Sequence, residues 1–185
     1  METAPRPLRS KLIATLGIAF ITLLLARPIK MLGQNAIAPW LDGSMNALQK
    51  VLWIGWFFVN GYFEGYKGFQ QRFSPRVVGR AAYLGDHPTW FRVIFALPFC
   101  LSLFHAKRAQ LIFRWAFLAA LYTLIMLVRM IPQPWRGIID GGVVVGLAWG
   151  LVAVWYFFAQ YLLDRDHPVA NDLPDGITPE LAVAD

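Results

Sequence analysis

The sequence predicts an all-α integral membrane protein: a polytopic helical bundle of four to five transmembrane helices with a disordered acidic C-terminal tail. Three observations predict it. The 185 residues are 57% hydrophobic and only 15% charged, against about 45–50% and about 25% in soluble domains. The apolar residues are gathered in long blocks. The charges lie between those blocks: 164–185 holds six acids against Arg165, a balance of −5, and the remainder is +11. Cys100 is the only cysteine, which excludes a disulfide scaffold. A pI of about 9.8 suggests nucleic acid in a soluble protein. Here the bases flank apolar blocks and no basic run is interleaved with aromatics outside them, so they read as topology determinants and lipid-headgroup contacts, with no nucleic-acid partner.

A helix crossing a hydrocarbon core about 30 Å thick needs about 20 apolar residues. Residues 111–131 meet this, with Arg114 and Arg129 near the ends where a guanidinium can snorkel. Residues 141–163 carry no formal charge. The block 12–26 is uncharged on all faces and preceded by Arg6, Arg9 and Lys11, as in a signal peptide. Its downstream Ala36-Ile37-Ala38 runs directly into Pro39, a poor cleavage site, so an uncleaved signal anchor is expected. The block 89–106 has Pro98 at its centre and is expected to span with a kink. The weakest, 51–63, spans only if 45–50 joins it; otherwise it lies in the interface. The expected helices are therefore about 12–29, 45–66, 89–106, 110–131 and 138–163, in one transmembrane domain (1–163) followed by a flexible tail (164–185).

Lys and Arg counted by loop give ten of seventeen in the cytoplasm for two topologies: five spans with the N-terminus inside, or four with it outside. Both put 64–92 and 131–136 in the cytoplasm and the tail outside it. Short loops and a signal anchor suit a bacterial inner membrane.

Gly142, Gly146 and Gly150 form a stripe at four-residue spacing that lets another backbone approach closely. Two uses are open: packing against 111–131, whose Ala116, Ala119 and Ala120 are small, or docking of a second copy or another membrane protein. The segment Asn60-Gly-Tyr-Phe-Glu64-Gly-Tyr-Lys67 is the most unusual. On an α-helix, Asn60, Glu64 and Lys67 share a face at spacings of four and three. They could bind a lipid headgroup or a proton, or form a structural Glu64–Lys67 pair in an aromatic belt. Arg129, Arg136 and Asp140 bracket the last loop, to pin the hairpin beside Trp135 or to bind an anionic headgroup.

His87, His105 and His167 have no partners at ligand spacing, so neither metal nor cofactor is expected. No catalytic constellation appears either. The leading expectation is a non-enzymatic accessory or assembly subunit of a membrane complex, with the bilayer and another membrane protein as partners. A lipid or small-hydrophobe binding or transport protein is the alternative. An intramembrane enzyme on a lipid, with Glu64 as acid or base, comes third, because one carboxylate without a convergent partner is a poor catalyst.

Overall fold

The computed structural model describes residues 6–166 and 168–169. Among them the chain is all-helical, and three helices are long and apolar enough to cross a membrane: α1 (Leu8–Leu41), α6 (Arg108–Arg129) and α7 (Trp135–Leu162). At 1.5 Å per residue α1 is about 51 Å long, so it outruns the expected 12–29 at both ends. Pro28 and Pro39 lie inside it. Its threonine hydroxyls are satisfied within the helix, Thr15 Oγ1 donating to Lys11 O at 2.7 Å and Thr22 Oγ1 to Ile18 O at 2.9 Å. A turn through Gly43 at φ +71° leads to α2 (Ala47–Asn60). Asn46 opens α2 with a capping box: the Gln49 N–H donates to Asn46 Oδ1 (2.9 Å) and the Asn46 N–H to Gln49 Oε1 (3.0 Å).

The helix then continues without a break. Gly61–Phe73 is a 13-residue π-helix and Ser74–Asp86 is α3, so 45–66 is the first half of one long rod. Residues 89–106 do not form the expected kinked span. They form two five-residue helices, α4 (Trp90–Ile94) and α5 (Ala96–Cys100), followed by a loop with Ser102 and His105 at positive φ. Pro98 lacks an N–H and restricts the residue before it, and Arg80 captures the carbonyls that follow. That guanidinium is fully buried. It donates to Phe99 O (2.8 Å), Phe104 O (3.2 Å) and His105 O (2.6 Å), and it lies 4.9 Å from the Phe99 ring centroid.

The rod of α2, the π-helix and α3 runs parallel to α7 and antiparallel to α1. At one end, which we call terminal, Ser10 Oγ donates to Asp86 Oδ1 and lies 3.2 Å from Tyr161 Oη. Lys11 Nζ donates there to Asp164 Oδ2 (2.7 Å) and Leu162 O (2.9 Å). Asp164 is thus fixed to α1; the rest of the expected flexible tail lies outside the described residues, apart from 165–166 and 168–169. At the hairpin end, Gln133 Nε2 donates to Asn35 O (3.3 Å) and the Gly137 N–H to Gln133 Oε1 (3.0 Å). The core joins α1, α3, α5 and α7 through Ala14, Ile18, Ile21, Val77, Ala81, Phe99, Val154 and Phe158. Helix α6 stands apart, with none of its residues buried.

The start of α1 lies beside the end of α7, so both ends of the described chain share one end of the bundle. The segment 64–92 is not a loop: it carries the chain from the middle of the bundle to the terminal end, opposite 131–136. The two segments expected on one side thus do not share an end of the bundle.

Candidate functional site

The glycine stripe of α7 and the unusual segment around Glu64 meet each other. A Cβ built on Gly142 would stand 2.5 Å from Trp56 Nε1 and 2.7 Å from Asn60 Nδ2; on Gly146, 2.6 Å from Glu64 Cδ; on Gly150, it would run into the Phe69 ring. Ser74 Oγ donates to Gly150 O at 3.3 Å. The stripe therefore packs within the chain, but on α2 and the π-helix rather than on 111–131. Ala116, Ala119 and Ala120 are exposed.

The π-helix explains the match. Gly61, Gly65 and Gly68 weaken α-helical preference, and i→i+5 turns are wider than α turns. Residues 60, 64, 69 and 74, at spacings of four, five and five, then climb one seam opposite 142, 146 and 150. Gly65 lets the Trp149 ring close in, a Cβ there falling 3.0 Å from it, and Trp149 Nε1 donates to Gln70 Oε1 (2.7 Å).

The same geometry separates Glu64 from Lys67. A wider turn carries the third residue off the face, and Lys67 Nζ lies over the rings of Tyr62 (5.0 Å) and Phe63 (5.5 Å). The Glu64–Lys67 pair does not form. Asn60 Nδ2 donates to its own helix, to Trp56 O at 3.1 Å. The Glu64 carboxyl makes no hydrogen bond or ion pair among the described residues and presses on the backbone of Gly146. Asn60, Glu64 and Lys67 therefore do not converge on a common ligand position.

The second expected group is divided too. Arg136 Nε stands 3.5 Å from Asp140 Oδ2 and Asp140 is 2% exposed. Neither of those two atoms has a hydrogen-bond partner, and the indole Nε1 atoms of Trp40 and Trp53 share that condition. Trp40 and Trp53 are edge to face at 5.6 Å, with Trp53 against Gly141. Arg129, exposed at the end of α6, joins neither Arg136 nor Asp140. This arrangement can brace the hairpin end; it does not present three charges to a headgroup.

Sequence reasoning missed Arg80, the largest fully buried side chain. Its one signal is a base on the rod four residues after Arg76 and away from the apolar blocks, which looks like an ordinary loop charge. Among the described residues no group of three or more His, Cys, Asp or Glu is arranged to hold a metal ion. No family model, curated protein or solved structure matches the chain.

Proposed function

We propose that the protein is a non-enzymatic accessory or assembly subunit of a membrane complex, and that α6 is the element it presents to its partner. The exposure of α6 carries this reading. All 22 of its residues lie outside the core, although its loops to α5 and α7 are short. Apolar area alone does not drive helices together in lipid; small residues and close backbone approach do. The exposed Ala116, Ala119, Ala120 and Thr123 supply such a surface at spacings of three and four. The glycine stripe is already occupied by α2 and the π-helix, which removes it as a docking face. Enzyme and headgroup readings are weakened by the dispersal of Asn60, Glu64, Lys67, Arg129, Arg136 and Asp140.

A bacterial inner membrane and an uncleaved signal anchor complete the proposal, resting on the short loops and the N-terminal charge pattern. The side of the tail is revised. The terminal end carries Arg6, Arg9, Lys11, Arg92, Lys107, Arg108 and Arg165; the hairpin half carries Arg27, Lys30, Lys50, Arg129 and Arg136. The excess of bases favours a cytoplasmic terminal end, and with it a cytoplasmic tail instead of the external one expected from loop counting.

The test is purification in mild detergent after photo-crosslinking from residues 116 and 120 in native membranes. A stoichiometric protein adduct at both positions, with the adduct from position 116 lost on Ala120→Leu at an unchanged protein level, is the expected result. Lipid adducts alone, with the wild type purifying without a protein partner, would overturn it.

A further inference from the structure

Between the two short helices and the start of α6 lies a cleft of about 470 Å³ lined by Phe91, Phe95, Pro98, Phe104, His105 and Trp115. We propose that it binds one chain of an anionic membrane lipid, with the acidic head over the basic lip formed by Arg92, Lys107 and Arg108. The inference goes beyond the subunit reading and does not depend on it.

The cleft is built rather than incidental. Arg80 fixes its floor by holding the carbonyls of Phe99, Phe104 and His105. From the other side, Arg114 Nη1 donates to Ser102 O at 3.1 Å and Trp115 Nε1 to Leu103 O at 3.3 Å. Phe91 packs on Phe95 at 4.8 Å and on Phe104 at 5.6 Å, which makes one aromatic wall. Yet Phe91, Phe95 and Trp115 remain 41%, 44% and 59% exposed, so the apolar lining is open to an occupant.

Depth in the bilayer points to lipid. A Cβ on Gly17 would lie 2.9 Å from Cys100 Sγ, and Gly17 is six residues into α1 from Lys11, about 9 Å at 1.5 Å per residue. The end of α5 therefore packs below the terminal face, at a depth that suits acyl chains when Lys11 stands at the headgroups. Charge points to an anionic head. Lys107 and Arg108 are exposed, and Arg92 lies over Tyr83 at 5.5 Å beside His105. Burial first, and then the guanidiniums of Arg92 and Arg80, hold the His105 imidazole below its ordinary range. Asp86, the acid nearest in sequence to the short helices, is engaged by Ser10. A phosphatidylglycerol-type lipid matches both the wall and the lip; a zwitterionic one matches only the wall.

The experiment uses the full chain in nanodiscs doped with diazirine-chain phosphatidylglycerol or diazirine-chain phosphatidylcholine, with adducts mapped by peptide. The anionic probe should label 91–104 and Trp115 several-fold more than the zwitterionic one, with no such bias on the outer face of α2 at Phe58. Leu103 also lines the cleft, and Leu103→Trp, which adds bulk there, should cut cleft labelling several-fold and leave Phe58 labelling unchanged. Lys107→Gln with Arg108→Gln, both exposed, should remove the anionic preference while chain labelling persists. Equal labelling by both probes would overturn the proposal, since that describes bulk lipid. So would an unlabelled cleft, since that describes a site filled by protein.

Discussion

Glu64 shows how one residue can be conspicuous in a sequence and still be misread. Its type and position were legible: a carboxyl inside an apolar block, beside an amide and an ammonium. Its partner was not, because the spacing argument assumed α turns, and Lys67 faces Glu64 only on those. In the π-helix the ammonium sits on aromatic faces and the carboxyl rests against Gly146 without a hydrogen bond. A half-buried carboxylate without a hydrogen-bond partner is costly to desolvate. Glu64→Gln keeps the shape and lowers the cost of desolvation. It should leave the melting temperature unchanged or raise it by a few degrees, since about 1 kcal/mol is worth about 2–4 °C at this size. It should also complement a deletion strain fully at normal protein level. Loss of complementation with folding intact would return Glu64 to the centre of the function. Arg80 is the opposite case, since nothing local distinguishes it from the neighbouring bases. Its role depends on where the carbonyls of 99–105 fall, and only tertiary structure supplies that.

At the scale of elements, the long apolar helices were legible because composition and length suffice for them: α6 and α7 lie close to the expected boundaries. The block 89–106 was not. Its hydropathy fits a span, but Pro98 and the carbonyl-capturing Arg80 give a local alternative that hydropathy does not weigh. The glycine stripe was legible as a close-packing surface, while its partner was hidden by the change of period along the rod. Alanine substitutions separate the seam from ordinary helix. At Gly146 a methyl would stand within 2.6–2.8 Å of the Glu64 side chain, and overpacking of this kind costs about 1–3 kcal/mol. At Gly55 nothing lies within 4 Å, so Gly55→Ala should stabilise by about 0.5–1 kcal/mol through helix propensity alone. Gly146→Leu should be worse than Gly146→Ala, since added apolarity does not restore the lost approach. The readout is thermal unfolding in one detergent. Equal effects at 146 and 55 would mean that the seam is not packed in the membrane.

Two ends define the whole molecule, and charge pairs hold the terminal one. Hydrogen bonding from Lys11, set against desolvation, and then contact with the Arg6 backbone and the two cations, keeps the Asp164 carboxyl below its usual range. A lowered carboxyl contributes stability at pH values above its unfolded value, about 3.9, and loses it as pH falls through the lower folded value. Asp164→Asn should therefore melt below the wild type at pH 7, and the gap should close toward pH 3. A gap that stays constant with pH would show that the pair adds nothing. The same clasp makes a topological demand, because α1 starts where α7 ends. With Cys100 replaced by alanine, single cysteines at Leu8 and Val169 should react with a membrane-impermeant maleimide from one side. Those at Ser44 and Met130, both exposed at the hairpin end, should react from the other. Loop-charge counting admits either parity, since five spans and four each bring ten bases inside, Arg6, Arg9 and Lys11 in the first being exchanged for Arg27, Lys30 and Lys50 in the second. In the fold, α1, the rod, α6 and α7 run between the same two ends, so an even number of crossings is the expected outcome of the labelling. If the charge balance sets orientation, positions 44 and 130 label in intact cells and positions 8 and 169 only after lysis. The reverse pattern would keep the fold and overturn the cytoplasmic tail. Labelling of positions 8 and 169 from opposite sides would overturn the fold itself.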